Sequence, residues 1–371
     1  MTTPRARILL VKLSAIGDVV HTLPALNALR RHLPTAHITW LVEEAAAELV
    51  IGHPALDDVL VSRRKTWLKG LKANQRRQHL NEMTEFIGRL RRRRYDFVLD
   101  FQASLKGAVL IALTRARRKI GFGPGLEHQE LSYLVLNERV PAVSMEIHAL
   151  DRTLLMLQAM GITTKQVEYK LPITVFHHRN VERLQSELGR SAELPLVAIN
   201  PMAQWESKLW TVEGFARVAD HLQSKRGLSV VFTGGPGDKN YIEDIRARMN
   251  TQAANLAGKT DLLTLAALLK RARLVITTDT GPMHIAAAVG TPIVALFGPT
   301  APWRTGPYGQ GHRVIQDERH CQPCFKRRCL FPESCMLSIT PEKVIGAVED
   351  MISNLHIGID QGKHERGFTA R

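Results

Sequence analysis

The sequence predicts an α/β protein built from two doubly wound, Rossmann-like domains that face a cleft. Three observations carry that reading. Apolar runs of strand length alternate with amphipathic helical stretches, the alternation occurs twice, and it weakens between about Leu157 and Leu194. At 371 residues the chain is long enough to bury two cores. The domains are placed over 1–170 and 171–371. Strands separated by helical patterns form parallel sheets covered on both faces, because a parallel connection has to cross over the sheet.

The elements follow in order. Strands are expected at Ile8–Leu13, Ile38–Val42, Val59–Val61 and Phe97–Asp100 in the first half. The second half repeats the scheme at Leu196–Asn200, Leu228–Thr233, Leu274–Thr278 and Ile293–Phe297, and a last helix is expected over Pro341–Leu355. The stretch 157–194 reads as a connector. In such sheets ligands collect outside the carboxyl ends of the strands. The chemistry is therefore sought in strand-to-helix loops.

Composition narrows the classes. Hydrophobic content of 44% and charged content of 23% are those of a globular protein, and no run approaches the roughly 18 apolar residues of a membrane span. The first apolar run, RILLV, is too short for a signal peptide. A cytoplasmic protein with at most peripheral membrane contact is expected. The net charge of +15 is bunched at Arg63–Arg77, Arg89–Arg94 and Arg115–Lys119. Each run alone reads as a solvated helix face; three in one half point to an anionic partner, whether nucleic acid, lipid or phosphorylated glycan.

Five loops draw attention. In KLSAIGDVVHTLPAL a carboxylate, Asp18, stands at the turn out of the first strand, as a helix cap or as a reactive group. In ITTDTGPMHIAAAVGTP, Asp279-Thr280-Gly281-Pro282 opens a helix containing His284, and free amides at such a terminus attract phosphate. Asp279 also reads as an ordinary N-cap. The turn Gly234-Gly235-Pro236-Gly237-Asp238 places an acid where it holds a ribose or merely a tight turn. In NPMAQWESKLW, Lys208 reads equally as a phosphate ligand or a surface lysine. The loop Phe297-Gly298-Pro299-Thr300 ends the neighbouring strand.

Together VKLSAIGDVVHTLPAL and TTDTGPMHIAAAVGTPIVALFGPT resemble the ADP-heptose:lipopolysaccharide heptosyltransferases, inverting glycosyltransferases of the GT-B fold. VVHTLPAL, LVEEAAAEL and the RRKTW loop are most similar to the heptosyltransferase I branch. The resemblance implies transfer of heptose from ADP-heptose to the lipopolysaccharide inner core, a Kdo–lipid A type acceptor, at the cytoplasmic face of the inner membrane. It implies Asp18 as catalytic base, Lys208 on the diphosphate, Asp238 near the ribose, Asp279 on the heptose, and Thr280, Gly281 and His284 around the donor. An aspartate is ionised at neutral pH, as a base must be. Lys208 and the helix start at Gly281 suffice for the leaving diphosphate, so no catalytic metal is required. Arg63, Arg64, Lys65, Lys69 and Lys72 become candidates for the anionic acceptor. Two departures bear on loop geometry: Met202-Ala203-Gln204 stands where the family often has a small hydroxyl residue, and Ala103 in DFQASLKGA where glycine is usual.

All four cysteines, Cys321, Cys324, Cys329 and Cys335, fall in CQPCFKRRCLFPESC. Their clustering favours a closed four-thiolate structural site for zinc or iron; reduced thiols in a tight loop are the alternative. Such a site is expected to brace its domain without touching substrate. A heptosyltransferase II-like enzyme with another glycan acceptor fits the same donor motifs. A nucleic-acid-binding protein explains the charge but lacks any zinc-finger, helix-turn-helix or RNA-recognition signature, and a dehydrogenase lacks G-x-G-x-x-G in the first turn.

Overall fold

A computed structural model describes residues 5–72, 76–126, 130–186 and 194–360, with side chains described as far as residue 353. The chain divides into two units, Met1–Thr174 with Trp303–Thr305, and Val175–Pro302 with Gly306–Arg371.

The first unit runs β1 (Arg7–Val11), α1 (Ile16–His32), β2 (His37–Glu43), β3 (Asp58–Ser62), α2 (Arg64–Leu71), α3 (Arg76–Arg92), β4 (Arg94–Asp100), α4 (Leu105–Ala112), β5 (Arg115–Phe122), β6 (Glu138–Val140) and α5 (Ala149–Gln158). Its six strands lie in the order β3-β2-β1-β4-β5-β6, and every pairing is parallel. In β1 all residues from Ile8 to Val11 are buried, the mark of a strand covered on both faces. Leu9, Val11, Leu60, Phe86, Leu90, Val98 and Ile111 form one core cluster.

The second unit runs α6 (Val175–Ser186), β7 (Leu196–Asn200), α7 (Val212–Arg226), β8 (Ser229–Phe232), α8 (Lys239–Arg246), β9 (Ala254–Asn255), α9 (Leu262–Arg271), β10 (Leu274–Thr278), α10 (Gly281–Ala288), β11 (Ile293–Phe297), α11 (Pro302–Thr305, shared between the units), β12 (His312–Gln316) and α12 (Pro341–Asp360). The order β12-β11-β10-β7-β8-β9 repeats the first unit's topology, again all parallel. Local chemistry fixes the helix ends. Thr211 Oγ1 accepts from Gly214 N at 3.0 Å, Asp261 Oδ1 accepts from Thr264 N at 2.6 Å, and Gly227 closes α7 at φ +61°.

The structure differs from the sequence expectation at several places. The stretch expected as a connector contains α6, and its residues 187–193 lie outside the described ones. The basic run Arg115–Lys119, expected on a solvated helix face, is the first half of β5. Only Ile120–Phe122 pair with β6, so the basic half of β5 is a sheet edge. Asn137 covers that edge, accepting from Lys119 N at 2.7 Å and donating to Arg117 O at 2.9 Å. Arg89–Arg94 spans the end of α3 and the first residue of β4.

Ala103 sits at φ +49°, in the left-handed region that glycine enters without steric cost. Its N–H and that of Gln102 both donate to the buried Asp100 Oδ1, at 3.1 and 2.9 Å, which pins the turn. Ala103→Gly is therefore expected to raise stability by about 1 kcal/mol. The urea midpoint of the purified variant checks this, and an unchanged or lower midpoint would show that the turn carries no left-handed cost.

Candidate active site

A doubly wound sheet opens a crevice where the chain order reverses, because the loops from the two central strands leave in opposite directions. In the second unit the reversal lies between β7 and β10, with Asn200 opposite Thr277. The loop after β7 carries Lys208 and the loop after β10 carries Asp279. Lys208 Nζ donates to Asp279 Oδ2 at 2.6 Å, and Thr300 Oγ1, from the loop after β11, donates to the same oxygen at 2.7 Å. The pair is buried, with side-chain exposures of 14% for Lys208 and 6% for Asp279. Lys208 Nζ also lies 4.5 Å from the centroid of Trp205. Lys208 is thus an internal cation paired with Asp279, and not a surface lysine.

Asp279 is not an N-cap either. Thr280 occupies the N-cap position of α10 with extended backbone and without a capping side-chain bond, and Pro282 stands in the first turn. The first amides of α10, from Thr280 and Gly281, thus stand beside the Lys208–Asp279 pair. Both bonds to the Asp279 carboxylate fall on Oδ2, leaving Oδ1 for a further donor among the described residues. His284 is buried in the first turns of α10. Asp238 lies apart from this group, in the 3-10 turn Pro236–Asp238 after β8. Its Oδ2 accepts from Gly235 N at 2.7 Å, so one oxygen holds the glycine turn closed. Thr278 Oγ1 donates to Met202 O at 2.8 Å, which ties the departing Met202-Ala203-Gln204 segment to the end of β10.

In the first unit the order reverses between β1 and β4, and Asp18 stands at the third position of α1, just beyond β1. Its Oδ2 accepts from Ala15 N at 3.0 Å and its Oδ1 lies 3.9 Å from Lys12 Nζ. The side chain is 43% exposed, so the capping bond leaves Oδ1 open to an incoming hydroxyl. Neighbouring residues build a polar floor that sequence reasoning missed. Gln102 Oε1 accepts from Leu13 N and Ser14 N at 2.7 and 3.1 Å. Lys106 Nζ donates to Ser14 Oγ and, at 3.2 Å, to the buried Glu43. Lys12 Nζ donates to Phe101 O at 2.9 Å. Lys106 lies within the DFQASLKGA run, yet nothing in its spacing announces a partner on another strand.

The basic acceptor candidates divide. Arg63 is bound by Glu44 at 2.8 Å, and Arg64 meets Glu43 at 3.4 Å. The Thr66 hydroxyl and Arg63 together hold the Glu44 carboxyl below its usual range. Lys65, Lys69 and Lys72 are exposed, and no acidic partner meets them among the described residues.

The four cysteines are free thiols lining one cavity of about 420 Å³ with Ser207, Pro299 and Lys326. Burial pushes the Cys335 thiol up, and the other three cysteines push it further. Four sulfurs are the right donor chemistry for zinc or iron, yet among the described residues no three His, Cys, Asp or Glu side chains converge closely enough to hold an ion. The cysteine loop reaches the Lys208 loop directly: Ser207 N donates to Arg327 O at 3.2 Å and Ser207 Oγ to Lys326 O at 2.6 Å. Gln322 Nε2 donates to Gly298 O at 2.7 Å, and Cys324 N to Pro299 O at 3.0 Å. It therefore holds the residue next to Lys208 and the loop that carries Thr300.

Comparison with known proteins follows from this geometry. Residues 83–334 match the model of glycosyltransferase family 9 (heptosyltransferase). The chain is similar to lipopolysaccharide heptosyltransferase 1 of Pseudomonas aeruginosa, 29% identical over 93% of this chain and 98% of that protein. It superposes on a family 9 glycosyl transferase from Veillonella parvula with a TM-score of 0.80 at 26% identity, covering 95% of this chain and 99% of the other. It superposes on E. coli heptosyltransferase WaaC with ADP at a TM-score of 0.73 and 25% identity, covering 93% and 99%. The two parallel six-stranded sheets are those of the GT-B fold.

Breaking a buried ion pair from one side strands the other charge, at a cost of about 3 kcal/mol. Lys208→Met is accordingly expected to lower stability by about that amount and to weaken ADP at least tenfold. The double variant Lys208→Met/Asp279→Asn should regain most of the stability but none of the ADP affinity. Denaturation and calorimetry on the three variants check this; recovery of affinity in the double variant would show that Lys208 acts only on Asp279.

Proposed function

Because the chain belongs to glycosyltransferase family 9 (heptosyltransferase), we propose that it transfers heptose, with inversion, from ADP-heptose to the anionic inner core of lipopolysaccharide. The observation that carries the reading is the buried Lys208–Asp279–Thr300 group beside the start of α10, at the strand-order reversal of the second sheet. It joins a cation and free amides, which bind a diphosphate, to a carboxylate oxygen, which binds a sugar hydroxyl.

The reaction follows from these parts. The acceptor hydroxyl gives its proton to Asp18 Oδ1 as its oxygen attacks the anomeric carbon, and the carbon–oxygen bond to the diphosphate breaks on the opposite face. Negative charge grows on the leaving ADP. Lys208 and the amides at Thr280 and Gly281 offset that charge, and they are already oriented before reaction. Nζ of Lys208 has three protons, so it can keep Asp279 and still donate to a phosphate oxygen. Asp279 Oδ1 orients the heptose, while His284 and Asp238 border the donor, Asp238 on its ribose side. The exposed Lys65, Lys69 and Lys72, with Arg63 and Arg64 behind them, attract the phosphates and carboxylates of the acceptor. An acceptor anchored in lipid calls for peripheral contact with the inner membrane at its cytoplasmic face. No described helix is long and apolar enough to cross a membrane.

Asp18→Asn tests the base. The amide keeps the shape and can still accept from Ala15 N, but it cannot take the proton. Turnover should fall at least a hundredfold while ADP-heptose affinity stays within about twofold. Near wild-type kcat with chemistry rate-limiting would remove Asp18 from the mechanism.

The proposal includes one structural zinc or iron ion drawing Cys321, Cys324, Cys329 and Cys335 together. Protein purified without chelator should then contain one metal per chain, and chelation should lower its melting temperature. Elemental analysis finding none would leave reduced thiols as their state.

A further inference from the structure

The first unit exposes a compact apolar patch that plays no part in the site. Leu105 and Val109 lie one turn apart on α4 and share a face. The segment 130–135 packs against that helix: Leu105 N donates to Glu130 Oε2 at 2.9 Å, and the 3-10 turn Ser132–Val135 abuts α4. Leu131 and Leu134 belong to that segment, beside α4. These four side chains are between 55% and 62% exposed, although the residues beneath them, Ala108, Ile111 and Ser132, are buried. Scattered apolar residues need no explanation, but four exposed ones on two segments that pack together do.

Apart from Glu130 and the Glu138 that pairs with Arg118, the charges in the neighbouring segments are positive. Arg115 and Arg117, exposed on the open edge of β5, follow α4 directly in the chain. Arg139 lies over the ring of Tyr133, within the 3-10 turn, at 5.7 Å, and donates to Tyr133 O at 3.1 Å. Residues 1–174 hold 26 of the 50 Lys and Arg but only 16 of the 35 Asp and Glu. An apolar centre with a basic surround fits an anionic bilayer surface: the leucines enter the acyl boundary while the arginines meet phosphate headgroups. The patch also starts at the carboxyl end of β4, the end at which Gln102 and Lys106 form the floor beside Asp18.

We infer that Leu105, Val109, Leu131 and Leu134 form a membrane-docking surface that seats the first unit on anionic lipid. The choice of a bilayer as occupant rests on the lipid-anchored acceptor proposed above; the patch and its charge do not.

The test is sedimentation of the full chain with vesicles, with neither donor nor acceptor present. Wild-type protein should bind phosphatidylglycerol-containing vesicles and bind pure phosphatidylcholine vesicles at least tenfold more weakly. The variant Leu105→Ser/Val109→Ser/Leu131→Ser/Leu134→Ser should lose at least tenfold in binding to the anionic vesicles. It should keep its melting temperature and its turnover of a deacylated, water-soluble acceptor. A second variant, Leu330→Ser/Phe331→Ser, alters another exposed apolar pair, in the cysteine loop, and should bind as wild type does.

Undiminished vesicle binding by the fourfold variant would overturn the proposal, as would loss of binding in the Leu330/Phe331 variant alone. A wild-type dimer that the fourfold variant dissociates would assign the patch to a second copy instead. Absence of heptosyl transfer to the deacylated acceptor would refute the functional reading while leaving the vesicle result standing, so the two failures are distinguishable.

Discussion

Everything chemical in this protein depends on parallel strand pairing. Parallel strands cannot be joined by hairpins; each needs a crossover that returns the chain to the end at which the previous strand began. β1 and β7 start their sheets and end up in the middle, with later strands added on both sides. The loops leaving β1 and β4, and those leaving β7 and β10, therefore diverge and leave polar backbone uncovered between them. Lys208, Asp279, Asp18 and Gln102 all stand at these two places. The same constraint makes the central strands apolar throughout.

What the sequence shows and what it hides follow from the range of the forces involved. β1, β2, β7, β10 and β11 are legible because burial on both faces demands a continuous apolar run. β5 is not, because its first half lies at an edge and carries Arg115, Arg117, Arg118 and Lys119 in place of β-branched residues. β6 and β9, of three and two residues, are too short to leave a period. Asp18 stands in the first turn of α1, and Lys208 and Asp279 stand in loops of the second unit, all three in stretches that glycines and prolines mark out. Lys106, Gln102, Glu43 and Ser207 do not, because each acts through a bond to a distant segment: Lys106 to Ser14, Gln102 to Leu13, Ser207 to Lys326. Thr300 stands between these groups. Its loop is marked by Gly298 and Pro299, but the hydroxyl's bond to Asp279 is a tertiary fact.

Asp279 shows how a buried charge gains a specific duty. Isolated, a carboxylate that is 6% exposed would be costly to ionise. Lys208 and Thr300 stabilise it from one side only, on a single oxygen. The carboxylate is thus fixed in direction and still incomplete as an acceptor. Asp18 is arranged in the same manner, with one oxygen turned to Ala15 N and the other toward Lys12. In both units a backbone or neighbouring donor orients a carboxylate without saturating it, and in the proposed reaction this preorganisation would lower the cost of aligning it with a hydroxyl.

The grip of the cysteine loop on Ser207 uses main-chain acceptors, Lys326 O and Arg327 O. Backbone carbonyls are present whatever the residue. Mutational drift at positions 326 and 327 therefore leaves the support of the Lys208 loop intact, whereas a one-residue insertion or deletion between Cys324 and Cys329 would move both carbonyls and break it. At these two positions the loop is thus constrained in its length and little in its spelling. Among diverging descendants residues 326 and 327 can change as long as the contour that carries their carbonyls is kept.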